Sequence, residues 1–150
     1  YLEFTSIPST YTDLMIKVSV RANGGSNNHD NYLIDFNGSS ANQSYRTVSG
    51  FGSSTDSRST TSYIFSFPGG NSTANTFSNA EWYIPNYASS NYKSISMDNT
   101  SENNATDGQD TLGAGLLSST SAISSIRIKN NESNNFKQYS TAYLYGIKNS

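Results

Sequence analysis

The sequence predicts an all-β fold, an antiparallel two-sheet β-sandwich of jelly-roll type, on three observations. First, the stretch from Asp13 to Arg21, DLMIKVSVR, puts Leu14, Ile16, Val18 and Val20 on one parity and Met15, Lys17, Ser19 and Arg21 on the other. Successive strand residues point to opposite faces, so this segment has a dry face and a largely wet one. Second, about nine or ten short segments of the same kind recur between turn signals, the spacing of a sandwich or jelly roll. Third, no long stretch has helical periodicity, so a second sheet must cover the dry faces.

The elements follow in order. Leu2 and Phe4 make a short first strand, and Ser6-Ile7-Pro8 turns the chain, since Pro8 has no N–H to donate. After the strand ending at Arg21, NGGSNNHDN reads as a loop. Tyr32, Ile34 and Phe36 alternate with Leu33, Asp35 and Asn37, and Asn37-Gly38 is a turn signal. The span from Ser39 to Thr61 is the most polar. Only Tyr45 to Val48 reads there as a strand, and GFGSSTDSRST as an exposed loop, whose length marks it as a candidate for function.

Tyr63, Phe65 and Phe67 form the next strand face, ended by Pro68-Gly69-Gly70. Ala80, Trp82 and Ile84 oppose Glu81 and Tyr83, with Pro85 closing the strand. Ile95 and Met97 share a parity, then a polar loop from Asp98 to Asp110 leads to Leu112, Ala114 and Leu116. The one place for a short helix lies between Leu112 and Ser125, where glycines and serines weigh against it. Ile126 and Ile128 alternate with Arg127 and Lys129. The chain ends with Ala142, Leu144 and Gly146 against Tyr143, Tyr145 and Ile147.

With 150 residues and no shift in polarity that would mark a linker, the expectation is one domain, residues 1–150, able to bury a real core. Ser, Asn and Thr make up 62 of the 150 residues, so neutral polar groups carry solubility. That polarity invites a reading of disorder, but disorder by composition needs high net charge and few aromatics. Here the charge is −2, and eleven Tyr, seven Phe and one Trp can each bury a large area. The charge, with nine scattered Lys and Arg, argues against a nucleic-acid groove or a polybasic membrane patch. With no cysteine there is no disulfide, thiolate metal site or Cys nucleophile. The chain starts at Tyr1 without Met, so an N-terminal segment is expected to be missing.

No catalytic, cofactor or metal residues stand out. His29 is the only histidine, lies in a Gly/Asn loop, and has no G-x-S-x-G elbow to serve. Asp56, Asp98, Glu102, Asp107 and Asp110 fall in loops, and Asp35 and Glu81 on strand faces assigned to water, so a glycosidase pair is not indicated. The run from Asp98 to Asp110 has oxygen donors for calcium but fails the EF-hand pattern, with Asn103 where the sharp turn needs Gly. N-x-S/T triplets at Asn37, Asn42, Asn71, Asn99, Asn104 and Asn131 are what chance gives in such a composition. Tyr11, Phe51, Tyr87 and Tyr92 in or beside turns, and Tyr143 and Tyr145 on an alternate strand face, are expected to be exposed. They suit an interface more than sugar stacking.

TSIPSTYTDLMIKVSVR (Thr5 to Arg21), AEWYIPNYASSNYKSISMDNTSENNAT (Ala80 to Thr106) and QYSTAYLYGIKNS (Gln138 to Ser150) resemble a module of tailed-phage virion structural proteins, familiar from marine phages. That family tends to close on Leu-Tyr-Gly-Ile-Lys, here Leu144 to Lys148, and usually has a short segment ahead of the first strand. The motif residues are framework, with no catalytic signature. The resemblance implies a non-enzymatic part of the virion exterior, such as a capsid decoration, head fibre or tail fibre. Its implied partners are copies of itself, expected as a homotrimer, and other virion proteins, with no cofactor, nucleic acid or membrane. A carbohydrate-binding host-adhesion domain using Tyr87 and Tyr92 is the alternative, and a polysaccharide depolymerase is the third class.

Overall fold

A computed structural model describes residues 1–61, 64–102, 108–132 and 134–149. The chain forms β1 (Leu2–Phe4), β2 (Asp13–Ser19), β3 (His29–Phe36), β4 (Gln43–Phe51), β5 (Ser54–Thr60) and β6 (Ser66–Pro68). These are followed by β7 (Asn79–Ile84), β8 (Lys93–Ser101), β9 (Gln109–Leu117), β10 (Ile126–Asn130) and β11 (Thr141–Ile147). A four-stranded sheet has the order β1-β10-β3-β6 and a seven-stranded sheet the order β11-β2-β7-β8-β9-β4-β5, with antiparallel neighbours throughout. The pairs β2–β11, β3–β10 and β4–β9 nest inside one another and alternate between the sheets. That is the wrapped double strand of a jelly roll, with the hairpin β7–β8 set beside β2. Among the described residues there is no helix.

The core is built by period two. Leu144, Ile16, Trp82, Met97, Gly113, Thr47 and Arg58 form one inward row across all seven strands. Trp82 and Tyr32 are fully buried and meet edge to face at 5.5 Å across the two sheets, and Phe67 lies 4.6 Å from Tyr32. The next row turns polar towards β5, running Val18, Ala80, Asn99, Thr111, Ser49 and Asp56. Ser49 and Thr111 hydroxyls bond at 2.9 Å, and the Asn99 amide donates to Ser66 O at 2.9 Å, which ties β8 to β6. Asn37-Gly38 makes the expected tight turn, both residues at positive φ, 53° and 78°.

Several expectations are corrected. The span from Ser39 to Thr61 is no loop. It is the hairpin β4–β5, because β4 can pair with β9 on one side and β5 on the other although three of its inward residues, Gln43, Thr47 and Ser49, are polar. The loop before β3 ends earlier than expected: His29 and Asp30 are strand residues, and Asp30 is fully buried, bonded by Asn130 and Asn27. Asp35 does not face water but lies under Lys129, with which it pairs at 2.8 Å.

Arg21, assigned to the wet parity, is 3% exposed. The strand has ended at Ser19, and the guanidinium turns under the 70–76 loop to donate to Gly70 O, Ser72 O, Thr73 O and Thr76 O. The polar run from Asp98 to Asp110 is strand at both ends: β8 continues to Ser101 and β9 starts at Gln109. No helix forms between Leu112 and Ser125: the span to Leu117 belongs to β9 and the rest is irregular. Phe65 and Phe67 are buried as expected but only Ser66–Pro68 is strand, while Tyr63, Asn104 and Asp107 lie outside the described residues.

The sharpest reversal is the parity of β9. Leu112, Ala114 and Leu116 point outwards, and Thr111, Gly113, Gly115 and Leu117 point inwards. A Cβ at Gly115 would sit 2.8 Å from the Tyr45 ring, and one at Gly113 would sit 3.0 Å from the Met97 methyl and 3.1 Å from the Phe65 ring. Large rings from the neighbours fill the space above β9, so only glycine fits below them.

Candidate functional site

The outer faces of the two sheets differ. On the four-stranded sheet, Glu3–Arg127 at 2.9 Å and Asp35–Lys129 at 2.8 Å lay charge across the strands, and Arg127 also covers the Tyr1 ring at 4.6 Å. The seven-stranded sheet instead leaves large apolar groups in solvent: Val48 (51% exposed), Leu112 (58%), Leu116 (38%), Tyr143 (55%) and Tyr145 (49%).

Register defines its layout. One outer row reads Tyr143, Lys17, Glu81, Asp98, Leu112, Val48, Ser57, and the next reads Tyr145, Met15, Tyr83, Ser96, Ala114, Arg46, Ser59. The β11 end is therefore aromatic, the middle charged and the β9–β4 end aliphatic. Lys17 bonds Glu81 at 2.7 Å, and that hydrogen bond, with the Glu81 charge, holds the ammonium above its ordinary 10.5. The Tyr83 hydroxyl donates to the Asp13 carboxylate at 2.7 Å, and this bond raises the phenol above 10.0. Towards β5, Gly50 supplies no side chain between Asp110 and Thr55, leaving a depression of about 480 Å³ also lined by Asp98, Thr100 and Leu112. A second hollow of about 460 Å³ opens between the β1 and β11 edges. Phe4, Ile7, Pro8, Leu14 and Leu144 line it, and the Tyr11 ring lies against Gly146.

Glu81 and Asp98 are direct cross-strand partners, so two carboxylates do share one face. Glu81 is half exposed and held by Lys17, whereas a general acid needs a carboxyl withdrawn from water. The pair is suited to hydrogen bonding and charge contact. Among the described residues no three of His, Cys, Asp and Glu gather as metal ligands. His29 starts β3 opposite Pro68, away from this face.

Of the aromatics expected on the surface, Tyr11, Tyr92, Tyr143 and Tyr145 are exposed, and Phe51 is half-buried at the end of β4. Tyr87 is a correction: it is fully buried, its hydroxyl donating to Pro8 O, which pins the first turn to the 85–92 segment. Asn99 is likewise buried and inward. Sequence reasoning missed Leu112, Leu116 and Val48 as surface groups. The signal was the Gly113/Gly115 pair, which marks the crowded side of β9. Comparison with family models, curated proteins and solved structures finds no match to this chain.

Proposed function

We propose that the protein is a non-enzymatic structural component of a tailed-phage virion, an exposed capsid-decoration, head-fibre or tail-fibre domain held in place by contacts with copies of itself and with other virion proteins. The virion assignment rests on the resemblance of residues 5–21, 80–106 and 138–150. The observation that supports a role built on contacts is the uncovered apolar ground of the seven-stranded sheet: Val48, Leu112, Leu116, Tyr143 and Tyr145 share one outer face. Burial of such groups between subunits is favourable by about 25 cal/mol per Å² of apolar surface. Neutral polar loops and the absence of oxidisable cysteine suit a particle surface. Self-association as a homotrimer is the expectation at a particle symmetry axis. The test is its position in a particle reconstruction. Density for the domain on the particle exterior is expected, and particles without it would overturn the reading.

A second reading, host adhesion through a surface glycan, is favoured by Tyr143 and Tyr145 standing beside Lys17, Glu81 and Asp98 on one face. Rings that stack on sugar faces and carboxylates that accept from hydroxyls are the needed groups. Tyr87, being buried, leaves this hypothesis, and Tyr92 stays exposed. Unchanged host adsorption after Tyr143→Ala with Tyr145→Ala would remove it.

A further inference from the structure

We propose that the free edge of β11 is a self-association site, at which a second copy of this chain adds its own β11 in antiparallel register. The four sheet edges are not alike. β1 and β6 are three residues long, and β6 ends in Pro68. β5 contains only Ser, Thr, Asp and Arg. Short length, proline and charge are the devices by which natural edges avoid pairing with other chains. β11 has none of them: it is seven residues long, uncharged and without proline, and among the described residues it bonds to β2 on one side only. Its unpaired backbone is a template for one more strand.

The residues of β11 select a second copy as the occupant. Full antiparallel overlap of residues 141–147 with their copies puts Leu144 opposite Leu144 of the second copy, on the two-fold axis. Tyr143 then faces Tyr145 of the second copy, and Ala142 faces Gly146 of the second copy. No charge lies in the paired span, so no like charges are brought together, and Lys148 falls opposite Ser140 of the second copy. On the inward side Leu144 is half-buried and follows Ile16 in the core row, so the joint continues that row from one copy into the next. On the outward side the exposed rings of Tyr143 and Tyr145 cover one another across the axis, the kind of cross-strand pair that stabilises sheets. The contact is isologous and closes with two copies, so it is separate from any three-fold contact and independent of the virion reading.

Sedimentation velocity across the micromolar to millimolar range tests it, with circular dichroism reporting that each variant is folded. The wild-type chain is expected to reach twice its 16.3 kDa. Tyr143→Glu with Tyr145→Glu sets like charges face to face and is expected to weaken the dimer by about tenfold or more. Tyr143→Glu with Tyr145→Lys sets opposite charges face to face in this register alone and is expected to restore it. A wild-type chain that stays monomeric, a dimer indifferent to the Glu/Glu variant, or a folded Glu/Lys variant that stays dissociated would each overturn the proposal. So would a monomer that takes up an extended peptide of unrelated sequence in place of its own copy. None of these outcomes bears on whether the domain is found on phage particles.

Discussion

Two buried cations do the work that disulfides do in other small β domains. The Arg21 guanidinium gathers the carbonyls of Gly70, Ser72, Thr73 and Thr76, and the Lys93 ammonium takes those of Ser89, Ser119 and Ser121 at 2.7–3.0 Å. Arg21 fixes the polar 70–76 loop, and Lys93 joins two segments that Tyr87 and Ile123 already anchor in the core. Arg21→Met would take the donor from Ser72 O, which is buried, and from the part-buried Gly70 O and Thr76 O, and is expected to cost about 2 kcal/mol, read as a lower urea midpoint at unchanged slope. Gly115→Val would drive a branched side chain into the Tyr45 ring, and overpacking of that kind costs about 2 kcal/mol. A midpoint equal to wild type for Gly115→Val would mean that β9 can turn its other face inwards.

At the scale of elements, period two located most strands and failed where a strand's reasons lie in its neighbours. β2, β3, β7, β8, β10 and β11 all place inwards the residues whose alternation is visible in the sequence. β5 has no such alternation, because polar side chains occupy both faces and it is held as an edge by its pairing with β4. Its amides are expected to exchange with deuterium well before those of β2, β7 and β8, which form the centre of the core. Equal protection across the sheet would show that β5 opens only when the whole domain does.

For the whole molecule the clearest expectation in solution is alkaline lability. Burial raises the phenols of Tyr32 and Tyr45 far above the ordinary 10.0, because an ionised phenolate would stand in the apolar interior. Above about pH 10 the unfolded chain releases these protons while the folded chain keeps them, so stability is full below that pH and falls as pH rises past it. Burial lowers Lys93 from 10.5, which works the opposite way, since the unfolded chain then holds the proton more tightly. Two strongly shifted tyrosines outweigh one lysine, so the net slope is downward. Tyr32→Phe with Tyr45→Phe is expected to flatten the fall of Tm between pH 9 and pH 11, as followed by differential scanning calorimetry. A profile as steep as wild type would assign the lability to other groups.

The amino-acid order by itself determined the all-β class, the single core-facing parity of most strands, the Asn37-Gly38 turn and the exposure of Tyr143 and Tyr145. All of these follow from local chemistry: alternation, positive φ and side-chain polarity. Only the tertiary structure decided that β4 and β5 pair, that Leu112 and Leu116 face out while glycines face in, that Arg21, Asp35 and Tyr87 are buried, and that β11 is left as an open edge. Apart from the local β4–β5 hairpin, these depend on groups far away in sequence. A ring from Tyr45 or Phe65 sets the space at β9, and carbonyls some fifty residues on receive Arg21. Burial of a polar group is settled by who meets it, and a linear pattern does not carry that information.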